Sequence, residues 1–147
     1  MSKKIMIATH TTLAEGFKKA MFFFTGPGED IVTVCAFEED DQDPHIEIDR
    51  FFDALEPSDT VVVFTDIIGG SINQIVAAKF KTREFHLITD VNLSVIMGIA
   101  TLSEEEINAE NIRECIELSK AQMKYMNDVI QEQNFANSTT TEEDFLS

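Results

Sequence analysis

Short apolar runs of strand length alternate with segments of helical period along most of this 147-residue chain. In the segments between the runs, apolar residues recur three and four positions apart, which is typical of amphipathic helices. This alternation predicts an α/β fold in which right-handed βαβ units build a parallel sheet. The four predicted strands cover residues 5–10, 31–37, 60–65 and 85–89.

The alternation by itself permits several orders of the strands in the sheet. In a doubly wound sheet, a three-layer sandwich with helices on both faces, the chain builds one side and then returns past its first strand to build the other. We assume the order 2-1-3-4, which makes the first and third strands neighbours at the point of reversal. Loops splay apart at this point and leave a crevice at the carboxyl ends of the strands.

The last third of the chain is less regular. Residues 91–100 are compatible with a short helix or with a further strand. Asn108 is suited to cap a long helix whose apolar stripe extends to Ile130. From residue 131 onward the sequence is polar and lacks the apolar period of a folded element. We therefore predict one domain over residues 1–130 and a mobile, acidic tail over 131–147.

Composition and charge narrow the classes of function. Hydrophobic residues make up 44% of the chain, which is in the globular range, and the formal net charge is -16. Such a chain lacks the clustered Lys and Arg that bind phosphate backbones, which argues against nucleic acid as a partner. The first apolar run is too short for a signal sequence, and no stretch approaches membrane-spanning length. We expect a cytoplasmic protein.

Two residues with catalytic chemistry follow or end predicted strands. His10 is the last residue of the first run, and Asp66 directly follows the third run. The assumed strand order places both side chains at one crevice. A carboxylate bonded to an imidazole fixes its tautomer and stabilises its cationic form. The pair therefore suits a histidine that accepts a phosphoryl group on one ring nitrogen while the other keeps its proton.

A glycine pair and a serine follow shortly after Asp66. Gly69 and Gly70 let the backbone approach a ligand closely, and Ser71 with Gln74 fits a capping box at a helix start. Exposed N–H groups at a helix start favour a bound anion. The segment from Gly69 to Ser71 is therefore a candidate phosphoryl-binding loop, and we expect the transfer to use no metal or other cofactor.

The cysteines and the other histidines carry no predicted chemistry. Cys35 and Cys115 have no metal-ligand spacing, and neither indicates an oxidising compartment. His45 stands at a helix start, and His86 lies inside the fourth predicted strand. With one histidine at the crevice and no paired ligands, we expect no catalytic metal site.

Three segments of the chain resemble the signatures of one protein family. They are Ala8-Thr9-His10 with Leu13-Ala14-Glu15-Gly16, Phe64-Thr65-Asp66-Ile67-Ile68-Gly69-Gly70-Ser71 with Asn73, and Val91-Asn92-Leu93. Over roughly residues 3–130 the chain is similar to the mannose-family enzyme IIA (EIIA-Man type) of the bacterial phosphoenolpyruvate-dependent sugar phosphotransferase system.

The resemblance implies a phosphocarrier with a phosphohistidine intermediate. In the family, the histidine matching His10 takes a phosphoryl group on Nε2 from the phosphocarrier protein HPr, and the aspartate matching Asp66 holds its Nδ1. The group then passes to a IIB subunit, expected here as a separate chain, and on to sugar entering through the membrane subunits IIC and IID, which the IIA protein serves only indirectly. In the family, the IIA site itself never contacts the sugar.

The resemblance also implies a quaternary structure. Family members are homodimers with a 2-1-3-4 parallel sheet, to which a partner subunit adds an antiparallel edge strand. Thr11 and Asp90 stand where the family commonly has glycine, and Ser94 stands where it often has proline. These departures bear on the rim of the crevice and on partner preference, and they leave the core of His10, Asp66 and the glycine-serine loop intact.

Three alternatives stay open. The phosphoryl-donor subunit of a dihydroxyacetone kinase shares this fold and an active histidine. A receiver-like signalling module, from a different class, carries its phosphoacceptor at the end of a third strand, where Asp66 stands. Receivers also need acidic residues after the first strand, where this chain has Ala8-Thr9-His10. The third alternative is a regulatory domain that binds a partner according to its phosphorylation state.

Overall fold

Four parallel strands form one sheet in the order β2-β1-β3-β4. The computed structural model describes residues 2–26, 30–38 and 43–139. The assumed order 2-1-3-4 is therefore confirmed, and β1 and β3 are adjacent. The strands are β1 (Lys3–His10), β2 (Ile31–Ala36), β3 (Thr60–Thr65) and β4 (His86–Ile88).

Six α-helices accompany the sheet in the described part of the chain. A short 3₁₀ turn extends α3 over Ala78–Lys81, and another precedes α5 at Glu104–Glu106. The helices are α1 (Leu13–Thr25), α2 (Pro44–Asp53), α3 (Ser71–Ala77), α4 (Leu93–Ala100), α5 (Ala109–Lys120) and α6 (Met126–Thr139).

Two separate apolar cores lie on the two faces of the sheet. Successive residues of a strand point to opposite faces, so the continuous apolar runs of β1 and β3 supply both cores. One core contains Ile5 and Phe64 and is covered by residues of α1, α4 and α5. The other contains Met6 and Val63 and is covered by α2 and α3. The result is the predicted three-layer sandwich.

The pairing of β1 with its two neighbours sets which strand ends meet. His10 pairs with Ala36 at the end of β2, and Ala8 pairs with Thr65 at the end of β3. Because all three strands are parallel and end within two residues of one another, their following loops emerge together. This register brings the residue after β3, Asp66, beside the last residue of β1.

Within residues 91–100, which the periodicity left undecided, Leu93–Ala100 form a helix. The side-chain oxygen of Asn92 accepts a hydrogen bond from Val95 N at 2.8 Å and caps the start of α4. Val95, Ile96 and Ile99 are then buried at helical spacing in the core on that face of the sheet. A short, almost wholly apolar segment fits a buried strand or a buried helix equally well, and the packing decides.

The prediction of one long helix from Asn108 to Ile130 is wrong, because this part of the chain forms two separate helices. Asn108 caps α5 as expected, through a 2.8 Å bond from Asn111 N, but α5 ends at Lys120 and α6 starts only at Met126. Ser119 is the last buried residue before the break. Beyond it the apolar stripe is exposed, so burial no longer favours continuation of the helix.

The predicted tail begins inside a helix. Helix α6 runs through residue 130 to Thr139, so residues 131–139 are helical, although their composition lacks an apolar period. The described side chains of α6 lie largely in solvent, which is consistent with that composition. The remainder of the predicted tail, residues 140–147, lies outside the described residues. The domain boundary at residue 130 and the mobility of the tail stay predictions.

The antiparallel edge strand implied by the resemblance has no counterpart among the described residues. Within them the sheet contains only parallel strands. In the family this strand comes from the partner subunit, so the exchange and the homodimer stay predictions for this chain.

Two positions that depart from the family pattern have left-handed backbone conformations. Thr11 has a φ of 52° and Asp90 a φ of 53°. Glycine adopts this region freely, whereas an L-residue pays roughly 1–2 kcal/mol for it. Thr11 and Asp90 are therefore strained in these conformations.

We expect Thr11→Gly to raise the free energy of unfolding by about 0.5–1 kcal/mol, because relief of the left-handed conformation outweighs the larger chain entropy of unfolded glycine. Chemical denaturation with the linear extrapolation measures the change. The neighbouring Thr12, with an ordinary φ of -86°, is the matched control. Thr12→Gly should lower the free energy of unfolding, and a gain of stability in both variants would contradict the assignment of strain to Thr11.

Burial lowers the pKa of the half-buried His86 imidazole below its ordinary value. The unfolded chain then binds this proton at a higher pH than the folded chain does. The stability contributed by neutral His86 is therefore complete above about pH 6.5, the ordinary histidine value, and is lost as the pH falls below it. His86→Gln should show a shallower loss of unfolding free energy between about pH 6.5 and 5. Equal slopes in both proteins would contradict this prediction.

Candidate functional site

His10 and Asp66 meet at the carboxyl ends of β1 and β3. The Nδ1 atom of His10 lies 2.9 Å from Oδ2 of Asp66, and the backbone N–H of His10 donates to the same oxygen at 2.8 Å. The other carboxylate oxygen accepts a bond from Ile67 N at 3.1 Å. The Asp66 side chain is 9% exposed, whereas that of His10 is 37% exposed. The acid is thus sheltered and fixed, and the imidazole reaches solvent.

These contacts select one tautomer of the imidazole. A carboxylate is an acceptor only, so Nδ1 must carry the proton that bridges to Asp66. In the neutral ring Nε2 then holds the free lone pair. The hydroxyl oxygen Oγ of Ser71 lies 3.4 Å from Nε2, at the long end of hydrogen-bond distance. The nucleophilic nitrogen therefore faces the glycine-serine loop.

Glycine suits both positions of the loop, for different reasons. Gly69 has a φ of 74°, which L-residues rarely adopt. A Cβ atom on Gly70 would lie 3.3 Å from the carbonyl oxygen of Ile67 and 3.4 Å from Cε1 of His10. Gly70 thus lets the backbone run directly beside the imidazole, and all five predicted site residues lie together.

The predicted capping box at the start of α3 is wrong. Gly70 is the N-cap, and Ser71 is already the first residue of the helix. The side-chain amide of Gln74 donates to the carbonyl oxygen of Gly69 at 3.2 Å, so it ties the loop rather than capping a serine. A shift of one residue in the helix start leaves the Ser71 hydroxyl free to face His10.

Two buried threonines hold the loops of the site in place. The hydroxyl of Thr65, at the end of β3, donates to the side-chain oxygen of Asn73 in α3 at 3.0 Å. The hydroxyl oxygen of Thr9 accepts from Ala14 N at the start of α1, at 2.7 Å. Thr9 and Asn73 belong to the segments that carry the family resemblance, but nothing in their spacing predicted these bonds.

An aromatic residue that the sequence reasoning missed completes the surroundings of His10. The ring of Phe37, directly after β2, stacks on the imidazole with centroids 5.6 Å apart and planes inclined by 28°. Phe37 ends the second apolar run, and strand pairing of β2 with β1 was the signal that could have placed it beside His10. Its exposure of 46% shows that the ring is not a core residue.

The other candidate groups lie apart from this arrangement. His45 bonds to Asp43 at the start of α2, and His86 pairs with Val62 in the sheet. Asp90 is exposed where β4 leads toward α4. Among the described residues, no cluster of three His, Cys, Asp or Glu side chains has a metal-binding arrangement.

A family model described as "PTS system fructose IIA component" (EIIA-man) matches residues 4–117. The chain belongs to the EIIA-man family. It is therefore a IIA phosphotransferase component of the mannose family of the phosphotransferase system (PTS). No curated protein matches the chain significantly in sequence. Within the described residues, every helix is too short or too polar to span a membrane.

Solved structures of phosphotransferase-system proteins have the same fold. A protein described as a phosphoenolpyruvate-dependent sugar PTS permease from Klebsiella pneumoniae is 26% identical, with a TM-score of 0.81 over 88% of this chain and 95% of that one. The IIA protein associated with a fucose utilization operon of Streptococcus pneumoniae is 21% identical, with a TM-score of 0.75 over 88% and 97%. The mannose/sorbose IIA subunit of Enterococcus faecalis is 16% identical, with a TM-score of 0.69 over 84% and 94%.

The role of Asp66 can be tested on the unmodified protein. In Asp66→Asn the side chain can donate to Nδ1 as well as accept from it, so we expect the share of neutral His10 with its proton on Nε2 to rise from minor to major. Nitrogen-15 NMR of the imidazole at a pH above its titration reports the two tautomers. An unchanged Nδ1-protonated ring in the variant would contradict the orienting role.

Proposed function

We propose that this EIIA-man protein is a phosphocarrier that accepts a phosphoryl group from phospho-HPr on Nε2 of His10 and passes it to a IIB subunit. The observation that carries the proposal is the polarity of the imidazole: Nδ1 is bonded to the sheltered carboxylate of Asp66, while Nε2 faces solvent beside Ser71. His45 also has a carboxylate on Nδ1, but that of Asp43 is exposed, whereas that of Asp66 is sheltered.

The geometry supports the following transfer step. The Nε2 lone pair attacks phosphorus, and the bond from phosphorus to the donor nitrogen of phospho-HPr breaks, returning its electron pair to that nitrogen. Positive charge that develops on the His10 ring spreads to Nδ1–H, where the Asp66 carboxylate stabilises it. The Ser71 hydroxyl and the backbone beside Gly69 and Gly70 support the phosphoryl oxygens. Transfer to IIB is the same exchange in reverse.

The wider setting is also proposed from the family. The protein acts in the cytoplasm as a homodimer, serves the membrane subunits IIC and IID only through IIB, and needs no metal or cofactor. Its net charge of -16 favours approach of a donor with a basic surface over approach of nucleic acid.

Incubation with phosphoenolpyruvate, enzyme I and HPr tests the proposal. We expect one acid-labile, base-stable phosphate per chain, which peptide mass spectrometry places on His10. His45→Gln is the matched control and should label fully, because His45 lies at the start of α2 with Asp43 as its partner. In Asp66→Asn, labelling should be slower by about 100-fold or more, as for other catalytic histidines that lose their orienting carboxylate.

Two outcomes would overturn the proposal. A base-labile label on Asp66 would favour the receiver-like alternative, in which the carboxylate is the acceptor. Absence of any label on the folded protein, under conditions in which a known IIA protein is labelled, would exclude phosphocarrier activity from HPr.

A further inference from the structure

Phe37 has an unusual backbone conformation for an aromatic residue. Its φ is 63°, in the left-handed region, where a bulky side chain is a genuine outlier. With 46% of the residue exposed, burial in the core does not account for that conformation. Strained residues of this kind persist where the surroundings impose them, and they concentrate at functional sites.

The left-handed turn at Phe37 places its ring against His10. His10 pairs with Ala36 in the sheet, and Thr11 N donates to the carbonyl oxygen of Ala36 at 2.6 Å, so the ends of β1 and β2 are joined at this point. The residue directly after β2, Phe37, turns its ring onto the imidazole at a centroid distance of 5.6 Å. The contact therefore depends on both the strand register and the strained φ.

We propose that Phe37 is a positioning residue that holds the imidazole of His10 at the angle from which Nε2 reaches the phosphoryl group. The inference rests on the proposed function, and it adds a requirement that the carboxylate alone does not meet. Asp66 fixes the ring at one atom, Nδ1, which still permits the imidazole plane to rock about that bond. A ring packed on one face limits this motion.

Gly70 lies near the imidazole on another side. Its backbone runs so close to Cε1 of His10 that a Cβ atom there would lie 3.4 Å away. Asp66 thus contacts one nitrogen of the ring and Phe37 packs on one face, while the lack of a side chain at Gly70 keeps the Cε1 edge clear. In-line transfer between two imidazoles is sensitive to such placement, because displacements on the order of 1 Å cost up to about 100-fold in rate.

The variant Phe37→Gly separates positioning from folding. Glycine accepts the left-handed φ without strain, so the variant should be at least as stable as the wild type while it lacks the ring. We expect its maximal rate of phosphorylation by phospho-HPr to fall by about tenfold. Phe37→Tyr keeps an aromatic ring at this position and should retain a rate within about twofold of wild type.

A matched control is available on α1. Phe23 is 84% exposed and lies ten residues after the start of the helix, roughly 15 Å along its axis from the end near His10. Phe23→Ala removes a comparable exposed ring and should leave the transfer rate unchanged.

The kinetics distinguish positioning from a role in docking HPr. Loss of positioning lowers the maximal rate and leaves the HPr concentration at half-maximal rate unchanged. A Phe37→Gly variant with a normal maximal rate and a raised half-saturating HPr concentration would overturn the proposal and identify Phe37 as a docking residue. A wild-type rate at every HPr concentration would overturn it as well.

A measurement on the unphosphorylated protein keeps this inference separate from the proposed function. Nitrogen-15 and carbon-13 relaxation of the His10 ring reports its motion directly. We expect a clear loss of order of the ring in Phe37→Gly and wild-type order in Phe37→Tyr. Failure of the wild type to accept phosphate would reject the phosphocarrier function, whereas unchanged ring order in Phe37→Gly would reject the positioning role of Phe37 alone.

Discussion

The hydrogen bond between Nδ1 of His10 and the Asp66 carboxylate depends on one constraint, the adjacency of β1 and β3. The two residues are 56 positions apart in the chain and meet only because both strands run parallel and end at the same edge. The two cores hold this register, since a slip of one residue would turn the apolar residues of each face toward the other. Packing far from the site therefore sets the geometry of the imidazole.

Strain collects at the edge of the sheet where the site lies. Thr11, Phe37 and Asp90 are the non-glycine residues with positive φ among those described, and they follow β1, β2 and β4 at their carboxyl ends. The cores on both faces stabilise the fold enough to tolerate these conformations. At Phe37 the strained turn places the aromatic ring against His10. Thr11 and Asp90 adopt the same left-handed region, although neither is a glycine.

Features that depend on local periodicity were predictable from the sequence, whereas features that depend on packing between distant parts of the chain were not. Strands, and helices with a clear apolar face, were predictable, because their buried residues recur along the sequence with the period of the element. The apolar segment at 91–100 was not, since a fully buried helix has no polar face to reveal its period. The prediction of one long helix beyond Asn108 was wrong for the opposite reason. The apolar residues continue past Ser119, but there they are exposed rather than covered by another element of the described chain. The predicted capping box made Ser71 the N-cap of α3, whereas Gly70 is the N-cap and Ser71 is the first helical residue. Local capping preferences alone do not resolve a difference of one residue.

The sequence by itself determined the α/β class, the positions of the strands, and the placement of His10 at the end of one strand and Asp66 directly after another. These features depend on local periodicity and chain order. The resemblance supplied the family and, with it, the strand order. Only the tertiary structure decided that Oδ2 of Asp66 bonds to both Nδ1 and the backbone N–H of His10. It also decided that Ser71 faces Nε2 and that the ring of Phe37 packs on the imidazole. These contacts join residues from different loops, and their distances are set by how two apolar cores pack against one sheet.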